Sequence, residues 1–107
     1  MFLARVTGHV VASHKDKVLN GQKLYVVEPL NVKYDEVTKQ PASLGNTGRA
    51  IVAIDAVGAG EGQLVLIVQG SSARMTEVTK NLPADAVIVG IVDSAEYAGK
   101  TFYQAGT

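Results

Sequence analysis

The sequence predicts an all-β fold, a small barrel of five or six short strands with one short helix. Two observations carry this. The apolar residues come in short, Val-rich runs, among them Ile51-Val52-Ala53-Ile54, Leu64-Val65-Leu66-Ile67-Val68 and Val87-Ile88-Val89-Gly90-Ile91-Val92, the composition and length of strands. Between them lie polar stretches broken by Gly and Pro.

Each element follows from its local pattern. Over 2–12, Phe2, Ala4, Val6, Gly8, Val10 and Ala12 share one face, and Arg5, Thr7 and His9 the other, which is the period of a strand. Residues 13–22 are polar and contain the turn pair Asn20-Gly21. A second strand is expected over 23–32, where Pro29, which cannot donate to a ladder, marks an edge or a bulge. Residues 33–49 are polar and carry Pro41, Gly45 and Gly48, so they are expected as a loop. That loop exceeds the about 12–15 residues beyond which structureless loops become uncommon.

Strands three and four fall at 50–56 and 64–69, joined by Val57-Gly58-Ala59-Gly60-Glu61-Gly62-Gln63. The helix is expected within 71–80, with Ser71 or Ser72 as its N-cap and Pro83 closing the stretch. A fifth strand covers 85–93, a short sixth covers 97–103, and 104–107 form a frayed tail. No repeat or composition shift divides the chain, so 1–107 is expected as a single domain.

Composition excludes several classes of function. The 107 residues bury roughly 65% of the surface of the unfolded chain, enough for one modest core. Ten Lys+Arg balance ten Asp+Glu, which argues against phosphate-neutralising nucleic-acid binding and against a polybasic membrane anchor. Hydrophobic residues make up 47%, too many for a disordered chain. The absence of Cys removes disulfides, thiolate zinc sites and thiol catalysis. No apolar run approaches the about 18 residues of a membrane span, and Arg5 interrupts the place of a signal peptide's apolar core, so a cytoplasmic location is expected.

The motifs that invite chemistry are incomplete. Gly58-Ala59-Gly60-Glu61-Gly62-Gln63 has Gln63 where a dinucleotide fingerprint needs its last Gly, and a strand follows in place of a helix. Its glycines suit a tight connection. Gly70-Ser71-Ser72-Ala73-Arg74 resembles a nucleophile elbow but has Arg74 in place of the final Gly. Its plain reading is a helix cap with Arg74 in a salt bridge. His9 and His14 lack companion ligands, so no metal site and no cofactor is expected. Asp55, Asp85 and Asp93 sit at strand ends, where turn and capping roles are common.

The later strands are apolar on both faces, whereas a barrel interior uses only one. A partner subunit is expected over the other, because large bare apolar patches are rare on monomers.

Three blocks together resemble a known family. The first is Gly8-x-Val10-x-x-Ser13-x-Lys15-x-x-x-Leu19-x-Gly21-x-Lys23-Leu24, with Ser13 where Thr is usual. The second runs from Ala53-Ile54-Asp55-Ala56-Val57-Gly58-Ala59-Gly60-Glu61-Gly62 to Gly70-Ser71-Ser72-Ala73-Arg74, with Gln63 where Glu is usual. The third is Asp85-Ala86-Val87-Ile88-Val89-Gly90-Ile91-Val92-Asp93. In this order they resemble the bacterial microcompartment vertex proteins, the EutN/CcmL pentamer family.

The resemblance implies an OB-like β-barrel that assembles as a cyclic pentamer. It implies a structural role without catalysis, capping the vertices of a polyhedral shell otherwise tiled by hexameric shell proteins. On that reading Gly58, Ala59 and Gly60 are expected near the fivefold axis, lining a narrow opening, with their backbone N–H groups offering a weak anion site. Ser71, Ser72 and Arg74 are expected at the subunit interface, where Arg presents a planar fork to neighbouring acceptors. The alternative, an OB-fold nucleic-acid-binding module, needs stacking aromatics on a basic face. Only Tyr25 and Tyr34 lie near the second strand, and the net charge is zero.

Overall fold

Eight strands follow one another along the chain in the computed structural model, which describes residues 1–38, 40–82 and 84–106. They are β1 (Phe2–Val10), β2 (Leu24–Asp35), β3 (Gln40–Asn46), β4 (Ile51–Asp55), β5 (Leu64–Gln69), β6 (Ala86–Ile91), β7 (Ser94–Tyr97) and β8 (Lys100–Gln104). Five of them close a ring in the order β1-β5-β6-β4-β2, sealed by the β1–β2 pairing. All its pairs are antiparallel except β4–β6, where Ile54 lies opposite Val87. Closure leaves the ring with no free edge.

Period-two alternation fills the barrel. Ala4 and Val6 of β1, Tyr25 and Val27 of β2, Ala53 of β4, Val65 and Ile67 of β5, and Ala86 and Ile88 of β6 form the interior cluster. Small residues beside branched ones suit the narrow interior of a five-stranded ring. The predicted inward face of β1 holds as far as Val6. A register shift between Val6 and Gly8 then breaks the alternation, and Val10 is only half buried.

The outward apolar residues have an intrachain cover that sequence alone did not supply. Ile54 and Val87 form a second cluster with Ala73, Leu82 and Ala84 from the segment between β5 and β6. That segment therefore covers part of the surface expected to await a partner. Val52, Val57 and Ile91 remain exposed.

The predicted helix over 71–80 is absent. Gly70–Arg74 forms a short 3-10 turn, and the residue before it, Gln69, makes no side-chain cap bond. Ser71 and Ser72 thus do not act as N-caps. Buried Thr79 donates its hydroxyl to the Ala73 carbonyl, and the Thr76 hydroxyl accepts the Thr79 N–H. Such bonds compete with helical ones, and Thr76, Val78 and Thr79 are β-branched. Pro83, expected to close the stretch, lies outside the described residues.

The expected loop over 33–49 is mostly a hairpin. β2 continues beyond the barrel, exchanging β4 for β3 as its neighbour: Val27 lies opposite Ile51, and Leu30 opposite Asn46. Pro29 sits at the hand-over, where its missing N–H costs no ladder bond, and its carbonyl accepts the Thr47 hydroxyl at 2.6 Å. At the tip, the Asp35 carboxylate accepts the N–H groups of Val37 and Thr38 at 2.9 and 3.1 Å. Those bonds, with Thr38 first and Val37 second, hold its carboxyl below the usual range.

The C-terminal stretch forms two strands where the sequence predicts one. β7 and β8 pair around Ala98-Gly99, both at positive φ (53° and 77°), the conformation of a tight hairpin turn. Gln104 belongs to β8 and the Ala105 N–H donates to the Asp93 carbonyl at 2.8 Å, so this part of the expected frayed tail is tied down. Tyr97 stacks on Tyr34 with ring centroids 4.9 Å apart, joining the hairpin to the β2–β3 arm. Arm and hairpin lengthen the molecule to 52 × 23 × 23 Å, with a radius of gyration of 15.2 Å against about 13 Å for a compact chain of this length.

Candidate functional site

The connection between β4 and β5 is tied by several side-chain bonds to its backbone. Asp55, the last residue of β4, accepts backbone N–H groups from Val57 at 3.0 Å, Gly58 at 3.1 Å and Ala59 at 3.0 Å. The next N–H, of Gly60, donates to the Gln63 side-chain oxygen at 2.8 Å. Arg5 donates to the Gly62 carbonyl at 3.0 Å, and the Gly62 N–H donates to the Val6 carbonyl at 2.8 Å. Gly58 and Gly62 stand at φ 82° and 87°, left-handed values that L side chains resist.

These bonds bear on two expectations. The N–H groups of residues 57–60 are all engaged by Asp55 and Gln63, so none is left over for an anion at the turn. Ala59, expected to line an opening, points into the barrel: it belongs to the interior cluster, and its carbonyl accepts the buried Tyr25 hydroxyl at 2.8 Å. Gly58 is exposed and Gly60 half buried, so only these two present backbone outward. Asp55 fills the turn role that strand-end aspartates suggest. Tyr25 was legible as a strand residue, but its bond to a residue 34 positions away carries no local signal.

The corner after β5 has the exposure an interface needs. Ser71, Ser72 and Arg74 are exposed, and Ala73 between them is fully buried against the barrel. The Arg74 guanidinium makes no ion pair or hydrogen bond among the described residues, so the intrachain salt bridge of the plain reading is not formed. His9, unassigned by sequence, meets the Glu61 carboxylate at 2.7 Å across the top of the loop. Among the described residues no three or more His, Cys, Asp or Glu side chains gather as metal ligands. Among the described residues no helix is long and apolar enough to cross a membrane.

A closed five-stranded ring with one parallel pair, a Gly-rich connection pinned at one end and a projecting two-stranded arm defines a small OB-like barrel protein. The family model described as "Ethanolamine utilisation protein EutN/carboxysome" matches residues 1–93, and the chain belongs to that family. A microcompartment shell vertex protein of Salmonella typhimurium, EutN, is 38% identical over 104 residues, covering 96% of this chain and 94% of the relative. The solved structure of Gloeobacter violaceus CcmL superposes with a TM-score of 0.82 at 31% identity over the full length of both chains. That of GrpN from Rhodospirillum rubrum, a pentameric microcompartment shell protein, gives 0.72 at 39% identity, covering 91% of this chain and 99% of its own.

Proposed function

We propose that this chain is a structural vertex protein of a bacterial microcompartment shell in the cytoplasm, acting as a cyclic homopentamer without catalysis or cofactor. The observation that carries the reading is the agreement of the whole barrel, through residue 93, with a family whose relatives bear vertex and pentamer in their names. The geometry of closure gives the role its purpose. Hexagonal plates tile a flat sheet, and fivefold units add the curvature that closes it. Hexameric shell proteins are therefore the expected neighbours, and residues 1–107 act as one unit. In a ring, one patch meets a different patch on the next copy. The exposed Val52, Val57 and Ile91, with unpaired Arg74 beside Ser71 and Ser72, supply apolar and polar material for those patches.

The native protein is expected as a particle of five copies of 11.2 kDa, about 56 kDa, in native mass spectrometry. An 11.2 kDa species alone at micromolar concentration overturns the reading. Arg74→Ala is expected to weaken the ring by about tenfold while strand content is retained, the effect of losing a well-placed interface Arg. Unchanged dissociation on dilution removes Arg74 from the interface.

Gly58 and Gly60 are read as facing the fivefold axis. Gly60 is the better probe, because its φ is not left-handed and a Cβ there meets only the Gln63 side chain, at 3.9 Å. Gly60→Phe is expected to leave the protomer folded and to crowd five rings together, so the pentamer loosens or its opening shuts. A structure of the variant with an unaltered ring places the loop away from the axis.

A further inference from the structure

A cavity of about 470 Å³ opens beside the Gly-rich connection, between the end of β1, the polar segment after it and the start of β2. Its volume lies in the range of small-molecule pockets, about 300–1,000 Å³. The wall is apolar along Val10 and Leu24, and its charged groups are unequal. Lys15 and Lys23 both line it, and Glu61 is the single carboxylate among the lining residues. That carboxylate is already engaged by His9 at 2.7 Å. The Lys15 ammonium reaches only a backbone carbonyl, that of Ala12 at 2.6 Å, and the Lys23 ammonium has no hydrogen bond or ion pair among the described residues, its backbone carbonyl alone accepting the Asp55 N–H at 3.0 Å.

We propose that this cavity binds a small organic dianion, two anionic groups on a short carbon backbone, held by Lys15 and Lys23. Two ammonium groups without a carboxylate partner supply the charge, and the Val10 and Leu24 wall receives the carbon chain. Lysine suits either a carboxylate or a phosphate, since it acts as a compact point charge with three donors. The site is distinct from the shell role and holds whether or not the Gly-rich connection faces a fivefold axis.

Amide-resolved NMR of the full-length protein in its native assembly tests this, with succinate and inorganic phosphate titrated separately at constant ionic strength. Saturable shifts are expected in residues 9–15, 22–25 and 61. Lys23→Gln is expected to weaken binding about tenfold, as loss of a charge-assisted bond does, and Lys23→Arg to restore it. Lys23 is exposed, so the variant keeps the assembly's mass, which native mass spectrometry checks. Saturation by succinate, with or without phosphate, upholds the proposal; saturation by inorganic phosphate alone, which has no carbon chain for the Val10 and Leu24 wall, overturns it. Absence of saturable shifts with both probes overturns the proposal. So do shifts spread over the surface lysines that persist in both Lys15→Gln and Lys23→Gln.

Discussion

Ile88→Ala is expected to destabilise the protein by about 2–5 kcal/mol, the range for emptying a buried branched side chain that the surroundings cannot refill. Ile88 is fully buried on β6, the strand that joins the antiparallel half of the ring to its single parallel pair. Its Cα lies opposite Ile67 of β5 on one side and Asp55 of β4 on the other, so the void opens where the two halves meet. Urea unfolding at fixed protein concentration measures the change, because pentamer formation would make stability depend on concentration. A loss below about 1 kcal/mol would falsify the barrel interior as described, since that is the scale of an ordinary substitution.

Ala59→Trp is expected to be the second most damaging change. Ala59 caps one end of the interior, packed in the cluster that holds Tyr25, Val27 and Ile88. An indole there overpacks the barrel, at about 1–3 kcal/mol or more, and strains the Tyr25 bond to the Ala59 carbonyl. The damage falls on the protomer whatever its place in a ring. Loss of the pentamer in Ala59→Trp therefore says nothing about an axis, and Gly60→Phe separates the two effects. Thermal unfolding under conditions where the chain is monomeric checks the expectation; a melting temperature equal to that of the unmodified chain shows that Ala59 is not in the core.

The barrel was legible in sequence wherever one face of a strand is buried and the other is not. Val6, Val65 and Ile67 announce their strands by alternation or by apolar runs, because burial inside the ring demands it. The arm was not legible, since residues 31–35, Asn31 to Asp35, are all exposed and no apolar face fixes their period. Their ladder with β3 is specified by main-chain pairing and by the Asp35 and Thr47 bonds. The Ala98-Gly99 turn was missed for a related reason: Ala is an unusual residue at a left-handed position, where Asn, Asp or Gly give the familiar signal. The helix was overcalled because Ser-Ser before a polar stretch looks like a cap, while Thr79 folds back on the Ala73 carbonyl instead.

For the candidate site, the sequence reading sets Gly58 and Gly60 by a fivefold axis and Arg74 at a subunit interface; in the single chain Gly58 and Arg74 are exposed and Gly60 is half buried. The inward turn of Ala59 was invisible because it depends on Tyr25, far away in the chain. The His9–Glu61 contact likewise joins residues 52 positions apart. The cover over Ile54 and Val87 escaped because the residues that supply it, Ala73, Leu82 and Ala84, form no periodic pattern of their own.

The position of β6 in the ring has a consequence for how the protein is made. β4 and β5 do not pair with each other; each leans on β6, which is complete only at Ile91. During synthesis the earlier strands emerge first, yet the circle stays open until that last member leaves the ribosome. Long-range pairings of this kind are slow to form and leave apolar strands uncovered meanwhile. A nascent chain therefore has no finished surface to offer its neighbours until nearly all of it has been translated. The topology itself ties assembly to synthesis, since a copy that stops before Ile91 cannot close its ring.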